Sequence, residues 1–357
     1  MFNKFSQQEI NTSHPTIYKM PVSTNSAAVL DYLAKLNAHP RDARIQFEES
    51  THIYTVDGDS NYMSVTTWNH HHFPKFDSKK IINQIVNSRK HKTDPEYKYY
   101  MMTAEQIEAM WNANRDGASS SGTNMHYDIE CYYNQVEVTN DSIEYAYFRK
   151  FLEENPHLLP YRTEWMIYHE DLKIAGSVDM VYRNPDGTLL IYDWKRCKEI
   201  VKTNAYGSTA TTECVRHLPD TNFWHYALQL NTYKTIIEEK YGAKVVGLCL
   251  VCLHPDNANG SYQIIEVPFL EKEISELFDY RRTMVSTQGT NVVPPAVKKA
   301  STKPIDSYFT KAPKGPTYTK APKGPPTDPK GPTYTKAPKG PKPGYKPNGL
   351  LINLDTL

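Results

Sequence analysis

The sequence predicts a mixed α/β domain with a tail of different composition behind it. Three features carry that expectation. Three strand-like runs follow one another between residues 160 and 196, helical patterns stand on either side, and the composition changes abruptly near residue 291. The expected core is a central mixed sheet flanked by helices, in αβββαβ order, over residues 45–290. Residues 1–44 read as a partly loose N-terminal extension and 291–357 as a disordered tail.

In chain order, "THIYTVDG" and "NYMSVTTW" (51–58 and 61–68) read as two strands with a turn between them. "AEQIEAMWNANRDGASSSG" reads as a helix and then a Gly/Ser loop. "GTNMHYDIECYYNQV" reads as the next helix, with Gly122 and Thr123 at a tight entry into it. The stretch from Tyr161 to Arg196 reads as three consecutive strands, with turns around Glu170 and Asp171 and at "NPDG", 184–187. Residues 197–220 form a polar segment, read either as a cover over substrate or as a solvated loop. "NFWHYALQLNTYKTIIEEKYG" is a strong helix that Gly242 is placed to end. "AKVVGLCLVCLHP" and "SYQIIEVPF" are two further strands, and "LEKEISELFDYRRTMVST" is the closing helix.

The net charge of +1 hides two opposite parts. Beyond residue 297 there are 12 Lys and 3 Asp, so an acidic body carries a basic tail. The N-terminus lacks the apolar core of a signal peptide, and "VVGLCLVCL" is too short to span a bilayer. The expectation is a soluble intracellular protein with no membrane contact. Cys249 and Cys252 invite a zinc reading. Their spacing of three in a strand-like run puts them on opposite faces, so buried thiols are expected. His70, His71 and His72 are read as loop or groove lining in preference to a second metal site.

The hairpin carries the chemistry. Pro185 and Asp186 suit the centre of a type I turn and Gly187 the left-handed residue after it. Asn184 then flanks Thr188, and counting back along both strands puts Asp179 opposite Asp193. Like charges opposed across a sheet destabilise it, and a divalent cation between them reverses the sign. Lys195 lies two residues beyond Asp193 and shares its face. Two carboxylates and an ammonium on one face suit hydrolysis of a phosphodiester. His126 and Glu130 are four apart on one helix face, as are Gln229 and Tyr233 on another.

With "GTNMHYDIE" (122–130), "GSVD" (176–179), "DWK" (193–195) and "QLNTY" (229–233) in this order, the chain resembles the PD-(D/E)XK nuclease superfamily, in particular its RecB-like and lambda-exonuclease-like branch. The resemblance covers roughly residues 45–290. It implies a restriction-endonuclease-like core and a metal-dependent DNA nuclease of replication, recombination or repair, expected to act as an exonuclease. It implies that His126, Asp179 and Asp193 bind Mg²⁺ or Mn²⁺, and that Lys195 is catalytic together with Asp193, Asp179 and Glu130. Gln229 and Tyr233 would support the site or contact the DNA backbone. Glu164 resembles an accessory acidic position. No cysteine precedes the His126 helix, so no iron–sulfur cluster is expected, and no Gly-x-x-x-x-Gly-Lys-[Ser/Thr] loop supplies a motor. The alternative is a catalytically silent nucleic-acid-binding protein or a clamp-tethered scaffold on the same fold.

The tail repeats "FTKAPKGP", "YTKAPKGP" and "YTKAPKGP" from 309, 318 and 334, and twelve of the 25 prolines lie beyond residue 298. "TKPIDSYF", 302–309, resembles a PCNA-interacting peptide, with Ile305, Tyr308 and Phe309 as the apolar anchors and Thr302 where Gln is usual. That resemblance implies a sliding-clamp partner and a nuclear or viral replication site. The Lys-Pro-Gly repeats read as a sequence-blind nucleic-acid binder or as a spacer. The closing "LLINLDTL" reads as a second docking peptide or as a segment that packs back on the domain.

Overall fold

A computed structural model describes residues 30–288 of the chain. The tail anchors Ile305, Tyr308 and Phe309, the repeats and the last eight residues lie outside the described residues, as do residues 1–29.

The central hairpin forms as the turn chemistry dictates. β5 (Ile174–Arg183) and β6 (Leu189–Lys195) pair antiparallel, Arg183 with Leu189 through Met180 with Tyr192. The Asn184 and Gly187 N–H groups close the turn onto Thr188 O (2.8 Å) and Asn184 O (2.9 Å), with Gly187 at φ +89°. β4 (Pro160–His169) pairs antiparallel with β5 along nearly its whole length. β3 (Met63–Ser64) joins β5 in parallel at Ile174 and Ala175. On the far side β7 (Val245–Cys252) runs parallel to β6, and β8 (Gln263–Glu266) runs antiparallel to β7. The result is a six-stranded mixed sheet.

This pairing opens the sheet at one place. A strand has two edges, and β4 takes one edge of β5. β3 and β6 must therefore share the other, β3 at Ile174 and Ala175 and β6 from Met180 onward. Gly176 to Asp179 are left without a strand partner on that edge, because beyond Tyr192 β6 stays with β7 and parts from β5.

Helical layers cover both faces. α7 (Asn222–Tyr241) and α8 (Glu271–Gln288) bury Leu228, Ile236, Ile237 and Ile274 against Ile167, Val181, Ile191 and Leu250. On the opposite face α5 (Ala104–Tyr133) and α6 (Ile143–Glu154) bury Met125, Ile129, Phe148 and Phe151 against Met180, Tyr182, Tyr192 and Trp194. Each fully buried aliphatic or aromatic of this kind contributes about 1.5–3 kcal/mol. A third cluster joins α3 (Ser78–Asn87) to the start of α5 through Ile82, Ile85, Tyr99, Ile107 and Trp111, with α4 (Arg89–Thr93) between them.

Three expectations are corrected. "SVTTWN" is not strand. After β3 the chain turns into α2 (Val65–His70), because Ser64 Oγ accepts the Thr67 N–H and Val65, Trp68 and Asn69 are buried at helical spacing. The Gly/Ser loop and the helix entry at Gly122 do not exist either. α5 runs unbroken for 30 residues through both glycines, opened by a capping box between Thr103 and Gln106. The sequence reading does not include α1 (Tyr32–Leu36), α3, α4, α6 or β1 (Ile45–Glu48), which pairs with β2 (Ile53–Val56).

Of the extension expected over 1–44, residues 30–44 join the folded body. Leu33 is buried beside Asn134, and Arg41 and Asp42 pair with Glu170 and Arg162, each at 2.7 Å. Cys249 packs in the α5/α6 layer, whereas Cys252 Sγ lies 3.7 Å from Cys197 Sγ, so the two strand cysteines do face apart. Among the described residues no helix is long and apolar enough to cross a membrane.

Candidate metal centre

Asp179 sits where the sheet opens, with an acid on either side. The pairs Thr163–Met180 and Trp165–Val178 bracket Glu164 and Asp179, which places those two across from one another on β4 and β5. Asp193 is the next register step of the hairpin after Met180–Tyr192, at the point where the ladder stops. Three carboxylates thus lie in one row across three strands. Neighbours about 5 Å apart repel by about 3 kcal/mol per pair at an effective dielectric near 20. Glu164 also holds a left-handed φ of +41° within its strand, a sparsely populated conformation that the surrounding structure must impose.

Compensating positive charge comes from two residues. His126, on α5, has Nδ1 3.5 Å from Asp179 Oδ2 and 3.8 Å from Glu164 Oε1. Its Nε2 lies 3.0 Å from the Trp194 carbonyl, so Nε2 carries the donated hydrogen and Nδ1 is the atom turned to the acids. Lys195 Nζ lies 2.5 Å from Asp193 Oδ2 and 4.8 Å over the Tyr226 ring.

These contacts set the protonation states. Burial works to lower the His126 imidazole, but Asp179 and Glu164 outweigh it and raise it to about 9. Burial and then Asp179 push the Asp193 carboxyl up to about 7, against the pull of Lys195. Burial opposes the Lys195 ammonium, yet Asp193 and Asp179 hold its pKa above the usual lysine range. Glu130, one turn after His126, is pushed up to about 7 by burial and by Glu164.

The donor set fits a hard divalent cation. Ligand atoms of His126, Glu164 and Asp179 all lie within 4.8 Å of one another. Each has an outer partner that fixes it: the Trp194 carbonyl for His126, Ser177 Oγ (2.8 Å) for Glu164 and the Trp194 N–H (3.0 Å) for Asp179. Asp193 is 2% exposed, and its Oδ2 meets no donor at hydrogen-bonding angle despite the close lysine.

The structure therefore brings His126, Asp179, Asp193 and Lys195 together, with Glu130 nearby, and it draws in Glu164 more closely than sequence reasoning did. Gln229 lines the cleft and donates to Tyr233 Oη at 3.2 Å. Tyr233 is buried behind it, against Gly176. A Cβ at Gly176 would meet Tyr233 Cε1 at 2.8 Å and Val65 Cγ2 at 3.2 Å, so the glycine makes the space that the tyrosine ring fills. That contact gives the Gly-x-x-Asp and Gln-x-x-x-Tyr motifs one shared packing reason.

The cleft measures about 410 Å³ and continues past Lys195 to Arg115, Ser119, Asn69, His70 and His225. Sequence reasoning missed Arg115, Ser119, Asn69 and His225. Arg115 and Ser119 are four apart and share a face of α5, a relation that shows only once the helix is known to run on through Gly117. Of the histidine triplet, His70 lines this cleft, and His72 is buried with Nδ1 2.9 Å from Thr212 Oγ1. The segment 197–220 is neither a bare loop nor an open cover, because Val215 and Leu218 enter the main core.

No family model matches the chain, and no curated protein matches it. Among solved structures it is similar to one from Eubacterium rectale named "Putative exonuclease", with 9% identity, over 63% of this chain and 79% of that chain, at a TM-score of 0.28.

Proposed function

We propose that the chain is a metal-dependent DNA nuclease that hydrolyses phosphodiester bonds in the cleft beside Asp179. One observation carries the reading: Glu164, Asp179 and the His126 imidazole converge on one point, with the Lys195–Asp193 pair on the next strand beside them. His126, Glu164 and Asp179 would hold Mg²⁺ or Mn²⁺, with Asp193 next to them. When bound, such an ion supplies positive charge to the phosphate and makes a neighbouring water more acidic.

The chain's own residues do the rest. Lys195 stays protonated, so it acts as a donor and a positive charge, orienting the attacking water or a phosphoryl oxygen. Asp193 fixes its position. Gln229 presents an amide to the cleft, braced by Tyr233. The clamp-binding role of Ile305, Tyr308 and Phe309 belongs to the same proposal, as the means of bringing the nuclease to DNA.

The test is cleavage of end-labelled linear and circular DNA with Mg²⁺, Mn²⁺ or EDTA, with the Lys195→Ala protein run in parallel. Metal-dependent cleavage that falls by about 10²-fold or more in the variant is expected. Cleavage that ignores EDTA, or that Lys195→Ala leaves intact, contradicts the reading.

A further inference from the structure

The cations of this protein are not evenly placed. Most Lys and Arg of the described body are in ion pairs with acids, among them Arg41, Arg44, Arg162, Lys173, Lys240 and Arg282. The lobe made by α3, α4 and the chain around them differs. Residues 75–98 carry seven Lys and Arg against Asp77, Asp94 and Glu96. All seven are exposed, and Lys75, Lys79, Lys80, Arg89, Lys92 and Lys98 have no acidic partner within ion-pair distance among the described residues. Of the three acids, Asp77 is used as the N-cap of α3, accepting the Lys80 N–H at 3.0 Å.

The lobe is also shaped. α3 buries Ile82 and Ile85 in a core with Tyr99, Ile107 and Trp111, which turns its polar face outward. Lys79, Lys80, Asn83, Gln84 and Asn87 follow at helical spacing on that outer face and line a shallow concavity. Asp77 also lines the concavity, with its carboxylate engaged by the Lys80 N–H, and the lysines and neutral amides beside it are the residue types that contact phosphates.

Two chain segments join this lobe to the cleft. The first is α5, which packs in the lobe core at Trp111 and lines the cleft at Arg115, Ser119 and Gly122 before presenting His126. The second runs from Asn69 and His70 in the cleft wall to Phe76, whose ring lies 6.1 Å from Trp111. From Trp111 to His126 the helix rises about 22 Å, or about six to seven base pairs of duplex.

We infer that this basic lobe is a nucleic-acid backbone grip, which holds phosphates upstream of the cleft and leads the strand along α5 to the site. The inference rests on the nuclease reading for its destination, not for the binding itself. It commits to nucleic acid over an anionic membrane because α5 and the segment from Asn69 to Phe76 tie the core of the lobe directly to the wall of the cleft.

The experiment uses the full chain carrying Lys195→Ala, so that DNA stays intact, with and without Lys79→Ala/Lys80→Ala. Affinity for a labelled duplex is measured across a salt series. The basic tail contributes equally to both proteins, so the difference reports the lobe. The slope of log affinity against log salt should shrink by about 0.9 per lost contact, close to 2 for the pair, with equal melting temperatures. A Lys244→Ala control, outside the lobe, should leave the slope unchanged. An unchanged slope and affinity in the lobe variant overturn the inference. So does loss of binding to vesicles of equal parts phosphatidylserine and phosphatidylcholine with DNA binding intact.

A second arm keeps Lys195 and compares hydrolysis of long DNA with that of a small aryl phosphodiester too short to reach the lobe. The lobe variant should lose the first and keep the second. If the parent hydrolyses neither, the nuclease reading fails, while the salt slopes still decide the lobe.

Discussion

Glu130 shows what the acidic row costs. Its carboxyl is raised to about 7 by burial and by Glu164, whereas in the unfolded chain it titrates near 4.5. Below that value both states hold the proton, and the shift contributes nothing. As pH rises through the window up to about 7 the unfolded state loses its proton first, so folded stability falls and stays reduced above 7. In the presence of EDTA, Glu130→Gln should therefore stabilise the fold at pH 8 by on the order of 1–3 kcal/mol, seen as a higher melting temperature, and leave it unchanged at pH 4. Thermal melts at the two pH values decide this. A gain at both would mean that the glutamate is strained for another reason. The same row explains why sequence reading reached the site at all. Turn chemistry at Pro185–Gly187 fixes the register, and register alone brings Asp179 beside Asp193. It could not reach the full role of Glu164, which depends on a β4–β5 register shifted near Pro160 and on a positive φ.

At the scale of elements, the lesson lies in α5 and α2. Gly117 and the serines after it look like a loop because each lowers helix propensity, yet the helix continues through them. Tertiary packing of Trp111 on one side and Met125 and Ile129 on the other outweighs the local preference. A Cβ at Gly117 would meet nothing within 4 Å. Gly117→Ala should stabilise the protein by about 1 kcal/mol in chemical denaturation and leave nuclease activity as it was. Gly176→Ala should do the reverse. Its Cβ would strike the Tyr233 ring, costing about 1–3 kcal/mol and weakening cleavage through the displaced Gln229. Equal stability of the two Gly176 proteins would show that the ring can move aside. α2 was misread for a simpler reason: β-branched Val65, Thr66 and Thr67 suit a strand, and only the Ser64 cap and the burial of Trp68 tip the segment to helix.

For the whole molecule, the two helical layers and the sheet share large cores, whereas α3 and α4 rest on one small cluster. Local opening should follow core size. In hydrogen exchange read by mass spectrometry, amides of α3 and α4 are expected to exchange ahead of those of β5, β6 and α7. Uniform protection would mean that the lobe opens only with the body. The broad architecture, a mixed sheet between helical layers, was legible because the hairpin, α7 and α8 carry strong local signals. The basic lobe was not, because a charge run at 75–98 reads as any solvated face until the packing of α3 on α5 ties it to the helix that carries His126.

Binding of a divalent cation by the acidic row is the most direct test. Mn²⁺ should be titrated calorimetrically into the full chain and its Asp179→Asn variant, in buffers of different ionisation enthalpy. Because His126 holds its proton up to about 9, binding should release a proton and tighten as pH rises toward that value. Asp179→Asn should weaken it by about tenfold or more. Binding without proton release, or equal binding by the variant, would place the cation elsewhere and contradict the central claim.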